Sequence, residues 1–134
     1  MGPRASKESS RQAKAFIVPD GKSCIYVYRL KRTLMGIAVL MNVTLDNNIR
    51  GVLGAGDFLT RTVEPGTHKI YCDFGAGACL PANTSFLAEP NSKYFIQVDW
   101  GFDTWNRNKI TQVFIDPEKA EKVLTTYEMV NWIG

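Results

Sequence analysis

The fold of this chain is constrained most by side-chain polarity that alternates residue by residue between short turn-forming stretches. In residues 68–72, alternation places His68, Ile70 and Cys72 on one face of an extended backbone and the two intervening residues on the other. Segments of this kind that are rich in β-branched and aromatic residues predict β-strands. The predicted strands are 24–30, 36–45, 49–53, 57–63, 68–72, 81–88, 93–99 and 109–115.

The stretches between these segments contain residues that favour tight turns. Asp46-Asn47-Asn48 tolerate the left-handed backbone conformation. In Glu64-Pro65-Gly66-Thr67, proline fixes φ and glycine accepts the positive φ that a type II turn requires. The segments and turns together predict a mainly β fold, an antiparallel sandwich or barrel of about seven strands. Residues 24–30 are apolar enough to be covered on both faces.

One C-terminal helix is predicted over residues 117–131. Asp116 is suited to the N-cap, and Pro117 fits the first helical position. Helical spacing puts four residues on one apolar stripe, which we expect to pack on the sheet: Ala120, Val123, Leu124 and Tyr127.

The sequence divides into a polar leader and a single domain. Residues 1–22 are predicted to be partly disordered or a short helix, with Phe16 and Ile17 available to dock. Residues 23–134 form the predicted sandwich domain with its C-terminal helix. The net charge of +3 is carried by residues 1–14, so the domain itself is neutral. A neutral body lacks the basic surface of a nucleic-acid-binding protein, and we expect no nucleic acid partner.

The single histidine lies four residues before a cysteine, which raises the question of a catalytic pair. On a strand, positions four apart are about 13 Å from each other, whereas a base must lie about 3 Å from the thiol that it activates. His68 and Cys72 therefore cannot form a dyad, and we expect His68 to hydrogen-bond a turn carbonyl. The alternative is a small hydrolase-like or ligand-binding enzyme that uses His68 and the loop acids Asp99 and Asp103.

The cysteines show no metal-ligand spacing, and no metal or cofactor is expected. Cys72 and Cys79 flank a six-residue loop and are candidates for a disulfide if the adjoining strands pair directly in an oxidising compartment. Cys24 is interpreted as a small buried apolar residue.

The best candidate for a binding surface is the stretch 100–108, predicted to be an irregular aromatic loop. Aromatic faces beside polar groups suit a glycan, a peptide or a partner protein. A structural cap on the open end of the sandwich is the other interpretation of the same residues. The candidate binding residues are Trp100, Phe102, Asp103, Trp105, Arg107 and Asn108.

A set of short motifs spans roughly residues 13–125. They are Ala13-Lys14-Ala15-Phe16, Gly21-Lys22, Ile25-Tyr26-Val27-Tyr28-Arg29, Gly36, Gly56-Asp57-Phe58, Val63-Glu64-Pro65-Gly66-Thr67-His68 and Lys93-Tyr94-Phe95-Ile96-Gln97-Val98. Taken together, these motifs resemble a bacterial family known as domain of unknown function 2846.

The resemblance implies an immunoglobulin-like or prealbumin-like β-sandwich outside the cytoplasm, with no established activity. It implies a noncatalytic binding or scaffolding module of the cell envelope, periplasmic or associated with the outer membrane, with a protein partner there. Members are often lipoproteins, which implies membrane attachment through an N-terminal lipid anchor that is removed here, Met1 standing in place of the lipidated cysteine. A cytoplasmic domain is the alternative, and freely reactive thiols at all three cysteines would favour it.

Overall fold

The computed structural model describes residues 3–31, 40–75 and 79–133. These residues form two helices and nine strands: α1 Lys7–Ala13, β1 Ser23–Arg29, β2 Met41–Leu45, β3 Ile49–Leu53, β4 Asp57–Val63, β5 Gly66–Asp73, β6 Ala82–Ala88, β7 Ser92–Phe102, β8 Asn108–Ile115, α2 Pro117–Leu124 and β9 Glu128–Met129.

The strands form two sheets that pack face to face, which confirms the predicted mainly β sandwich. The five-stranded sheet has the order β8-β7-β1-β4-β9, and the four-stranded sheet has the order β3-β2-β5-β6. Most neighbours are antiparallel, but β1 is parallel to β7 and β4 is parallel to β9. The predicted antiparallel arrangement was wrong for these two pairs. The strands of each pair are not consecutive in the chain, and the alternation of polarity along a strand does not indicate which strand lies beside it.

The main core lies between the two sheets, where alternate residues of the facing strands meet. Its fully buried members come from both sheets: Ile25, Val27, Leu59, Ile96 and Val98 from one, and Met41, Val43, Leu45, Leu53, Ile70 and Cys72 from the other. Burial of this apolar surface is the main stabilising term of the sandwich.

A second core covers the outer face of the five-stranded sheet. The Tyr26 and Phe95 rings stack with centroids 4.4 Å apart, and Phe16 packs against both at an angle. Ala120 and Leu124 of α2 and Tyr127, which lies just beyond its end, are buried in this core. β1 is consequently buried along its whole length, as predicted.

The leader is ordered by this second core. Ser6 caps α1 by accepting a hydrogen bond from the Ser9 backbone N–H at 3.0 Å. Phe16 docks as predicted, whereas Ile17 is 75% exposed. Phe16 has a φ of +55°, which is unusual for a bulky residue and is held by its burial among aromatic rings.

The helix predicted over 117–131 ends earlier, at Leu124. Asp116 caps it as predicted, but the hydroxyls of Thr125 and Thr126 donate to the carbonyls of the last turn at 2.6 and 3.0 Å. Beyond this point, the backbone N–H of Glu128 donates to the Gly56 carbonyl at 3.0 Å. Pairing with the edge of β4 therefore replaces the last predicted helical turns.

The predicted turns are mostly confirmed by their backbone angles. Asp46 and Asn47 have φ of +52° and +69°, the left-handed conformation predicted for the tight connection between the paired residues Leu45 and Ile49. Gly66 has a positive φ as predicted, but at +138° it is the first residue of β5 and not the third residue of a type II turn, whose φ is about +80°. Of the predicted strand 36–45, residues 36–39 lie outside the described residues, and β2 begins at Met41. No helix in the described part of the chain is long and apolar enough to cross a membrane.

Candidate functional site

The β7–β8 hairpin projects beyond the rest of its sheet and carries most of the predicted binding residues. β1 accompanies β7 as far as the pair Arg29 and Val98. From Asp99 onward, the ladder partner of β7 is β8. We call residues 99–110 the β7–β8 arm.

The stretch 100–108 is therefore not the irregular loop that was predicted. Trp100 pairs with Ile110 and Phe102 pairs with Asn108, so the strands continue and a short connection of residues 103–107 joins them. The glycine and the turn-forming residues of this stretch concealed the pairing, because they interrupt the alternation of polar and apolar residues from which strands are predicted.

Two aromatic side chains of the arm contact each other on β7, and a third lies at its tip. Trp100 and Phe102 share the side of β7 that carries the core residue Val98, and their rings meet edge to face with centroids 5.6 Å apart. Trp100 is half-buried, Phe102 is 57% exposed, and Trp105 at the tip is 78% exposed. A structural cap would bury these rings, so the exposure favours the recognition interpretation over the cap.

The tip of the arm is held in one conformation by Asp103. Its carboxylate accepts hydrogen bonds from the backbone N–H groups of Trp105 and Arg107 at 2.9 and 2.8 Å. The Arg107 guanidinium donates Nε–H to the other carboxylate oxygen at 2.8 Å. The Arg107 backbone N–H, its guanidinium and the Trp105 N–H hold the pKa of Asp103 below its usual range. The hydrogen bonds between Asp103 and Arg107 and between Asp103 and Trp105 thus fix the backbone that carries Trp105.

His68 lies at a junction of two turns, where both of its ring nitrogens have partners. Nε2–H donates to the Glu64 carbonyl at 2.7 Å, which confirms the predicted bond to a turn carbonyl. Nδ1 lies 2.6 Å from the Asp46 carboxylate. Since both partners are acceptors, the doubly protonated imidazolium satisfies them best.

Desolvation lowers the pKa of His68, but the bonds to Glu64 and Asp46 and the charge of Asp46 outweigh it and raise the pKa above its ordinary value. Because its pKa is raised, the protonated form of His68 is favoured, and its two hydrogen bonds connect the β2–β3 turn to the β4–β5 turn.

The structure does not bring His68 together with Asp103. His68 lies opposite Phe86 in the four-stranded sheet, and the Phe86 ring contacts Phe114, whose partner on β7 is Ile96. Asp103 lies seven residues farther along, which is about 23 Å at the usual rise of a strand. Within residues 3–31, 40–75 and 79–133, no cluster of three or more His, Cys, Asp or Glu could hold a metal ion.

The predicted Cys72–Cys79 disulfide is not formed, and both residues are free thiols. The strands around the loop do pair, but the residue opposite Cys72 is Ala82 rather than Cys79. The loop residues 76–78 lie outside the described residues. Burial raises the pKa of the Cys72 thiol to about 12, while Cys79 is partly exposed. Cys24 is buried as predicted.

Sequence reasoning missed Gln112, which joins the two sheets. Its amide Nε2 lies 3.2 Å from the carbonyls of Ile70 and Ala82 and 3.3 Å from Cys72 Sγ. A glutamine in an alternating strand is ordinarily a solvent-facing residue, so the sequence carries no signal for this role. The contact fixes the base of the β7–β8 arm to the opposing sheet.

Sequence reasoning also missed the outward face of the four-stranded sheet, which forms a polar cleft. Its lining residues alternate with core residues along β2, β3 and β5, and that alternation was the available signal. They include Asn42, Thr44, Arg50, Lys69, Tyr71 and Asp73.

Comparison with known proteins gives one distant similarity. No family model matches the chain. A protein of Haemophilus influenzae described as uncharacterized is 29% identical over 96 residues, which cover 71% of this chain and 54% of that protein. The chain thus spans about half the length of the relative that it matches. The resemblance to domain of unknown function 2846 stays a prediction.

Proposed function

We propose that the protein is a noncatalytic binding or scaffolding module of the bacterial cell envelope that contacts a protein partner through the β7–β8 arm. The observation that carries the proposal is the exposure of Phe102 and Trp105 on a projecting hairpin. Large exposed aromatic residues are costly to leave in water and are enriched among the residues that dominate protein interfaces.

The arm is also preorganised, which favours recognition by a rigid surface. The Asp103 carboxylate fixes the tip through three hydrogen bonds. At the base, Leu80 exchanges backbone hydrogen bonds with Asn108 and Ile110, each at 2.9 Å. Residues that are held in place before binding lose less conformational entropy in the complex.

A protein partner fits the arm better than a glycan does. A sugar ring stacks on a flat aromatic face, whereas the Trp100 ring is half-buried and packed against the edge of Phe102. Further along β8, Phe114 is 42% exposed and pairs with Ile96, on the side of the sheet that carries Trp100 and Phe102. Exposed aromatic residues of this kind are enriched at protein contacts.

One structural observation supports a noncatalytic role. Both ring nitrogens of His68 are occupied by hydrogen-bond partners, which leaves neither free to act as a general base.

The envelope location is proposed from the family resemblance and has its own test. In fractionated cells, an antibody against the natural protein should detect it in the periplasmic or membrane fraction, and detection in the cytosol alone would refute the location.

The partner surface is tested by crosslinking in intact cells followed by affinity capture. Trp105→Ala should remove a defined crosslinked partner, because truncating a central tryptophan weakens an interface by about 2 kcal/mol, or about thirtyfold. The matched control is Ile17→Ala, which removes an equally exposed apolar side chain from the leader. Ile17 precedes β1, whose first residue lies beside the start of β7, so it is at the opposite end of the sheet.

Thermal unfolding should show both variants within about 0.5 kcal/mol of the unaltered protein, since both side chains are exposed. A partner list that Trp105→Ala leaves unchanged would refute the role of the arm. A list that both variants alter equally would point to nonspecific apolar association instead.

A further inference from the structure

The two sheets differ in what covers their outward faces. The five-stranded sheet is covered by Phe16 and by α2, which bury Tyr26 and Phe95. The four-stranded sheet has a cleft of about 700 Å³ on its outward face, and among the described residues no helix packs there. This face lies on the other side of the sandwich core from the second core and does not include the β7–β8 arm.

The cleft is lined by polar side chains in a regular cross-strand row. Arg50 on β3 pairs with Thr44 on β2, which in turn pairs with Tyr71 on β5. Adjacent strands are about 4.8 Å apart, so Arg50 and Tyr71 lie about 10 Å apart on the two sides of Thr44. Lys69 is two residues from Tyr71 on the same strand and face, about 7 Å away.

The charges of the cleft are unbalanced. Within the described part of the chain, neither Arg50 nor Lys69 has a carboxylate partner for its side chain. Asp73 is the acidic residue of the lining, and its carboxylate accepts hydrogen bonds from the Asn42 amide at 3.1 Å and the Gly75 backbone N–H at 2.6 Å. The nearby Asp46 carboxylate is occupied by His68 and by the Lys69 backbone N–H at 2.9 Å.

We propose that this cleft binds an acidic saccharide, with the anionic group held between Arg50 and Lys69. A guanidinium and an ammonium with no acidic partner complement a carboxylate or a sulfate. The amide of Asn42 and the hydroxyl of Thr44 can donate to and accept from sugar hydroxyls, and the Tyr71 ring offers an apolar surface beside them.

A protein partner is the less favoured occupant of this cleft. Interface cores are enriched in aromatic residues and depleted in charge, whereas this face has amides, hydroxyls and two cations. Of its aliphatic residues, Val43 is fully buried, Val52 lies on the same strand as Arg50, and Ile133 forms a bridge with Arg50. The proposal is independent of the role assigned to the β7–β8 arm, since the two surfaces belong to different sheets.

The experiment titrates the purified protein with digalacturonic acid and with a sulfated heparin disaccharide, using galactobiose as the uncharged control. Binding is followed by calorimetry and by backbone amide shifts in NMR spectra. We expect at least one acidic saccharide to bind with a Kd of about 1 mM or tighter, and to shift amides of β2, β3 and β5. Galactobiose should bind at least about tenfold more weakly, because it lacks the charged group.

The variants Arg50→Ala and Lys69→Ala should each weaken the binding by about tenfold, the usual effect of losing a hydrogen bond to a charged group. The matched control is Arg61→Ala, which removes an exposed cation from β4 of the other sheet and should leave the affinity unchanged.

Three outcomes would overturn the proposal. The first is that neither acidic saccharide binds at about 10 mM. The second is that Arg61→Ala weakens binding as much as Arg50→Ala, which would indicate nonspecific charge attraction. The third is that Arg50→Ala removes a crosslinked protein in cells while no saccharide binds, which would assign the cleft to a protein. None of these outcomes bears on Trp105, so failure here would not count against the arm.

Discussion

Gly51 lies in the middle of β3 where a larger residue would not fit, which gives a sharp test of the packing between the sheets. A Cβ atom at this position would be 2.6 Å from Leu59 Cδ1 and 3.1 Å from Trp132 Cε3. Carbon atoms in contact are ordinarily about 3.5–4.0 Å apart, so the Leu59 methyl group would have to move by about 1 Å. Leu59 is fully buried, and its neighbours leave little room for that movement.

We expect Gly51→Ala to lower the free energy of unfolding by about 1–3 kcal/mol, the usual cost of overpacking a core. For a chain of this size, the loss corresponds to a fall in Tm of roughly 4–12 °C. Urea denaturation followed by tryptophan fluorescence measures the free energy, and calorimetry measures the Tm.

The matched control is Gly101→Ala on β7. No atom lies within 4 Å of the Cβ position there, and its φ is not positive. This variant should be neutral or more stable by up to about 1 kcal/mol, because alanine reduces the entropy of the unfolded chain. If Gly51→Ala proves as stable as Gly101→Ala, the packing argument is wrong.

A double-mutant cycle locates the clash. In a Leu59→Ala background, the substitution of Gly51 should cost at least about 1 kcal/mol less, since the obstructing methyl groups are absent. An unchanged cost would place the clash elsewhere, for example at Trp132.

Three further predictions concern titratable groups. The pKa of His68 is raised on folding, so its contribution to stability is complete below about pH 6.5 and is lost as the pH rises through the folded pKa. The urea midpoint should therefore fall over that pH range, and this fall should be absent in His68→Gln. Burial raises the pKa of Tyr28 to about 12, so its stabilising contribution should be lost between about pH 10 and 12, and a 295 nm titration showing every tyrosine ionising near pH 10 would contradict its burial. The native protein should react with a thiol reagent at Cys79 well before the buried Cys72, and a fast phase that survives in Cys79→Ser would show that the order is wrong.

Local chemistry made several elements predictable. Asp46 and Asn47 are among the few residue types that accept positive φ, and the hairpin between β2 and β3 has positive φ at both. Asp116 and Pro117 start α2 for two reasons. The Asp116 carboxylate accepts a hydrogen bond from a free backbone N–H of the first turn, and proline has no N–H that would require a partner there. These features depend on neighbours in the chain, which the sequence displays directly.

The candidate sites were predicted less completely. The aromatic residues of the arm were identified, but their extended pairing was not, since WGFDTWNRN contains as many turn-forming as strand-forming residues. The polar cleft was not recognised because its residues are ordinary solvent-facing members of three separate strands. Arg50, Thr44 and Tyr71 become a row only when β3, β2 and β5 lie side by side.

The sequence by itself determined that this chain forms strands, where most of its turns fall and which side of each strand is apolar, because period and turn chemistry are properties of consecutive residues. The order of the strands, the parallel placement of β1 beside β7, the early end of α2 and the projection of the arm were decided by tertiary structure. The first three features depend on backbone groups that find partners distant in the chain, and the arm projects because β1, a strand distant in the chain, ends its pairing with β7 at Val98. A pattern of polarity specifies that such groups must be paired, but not which ones pair.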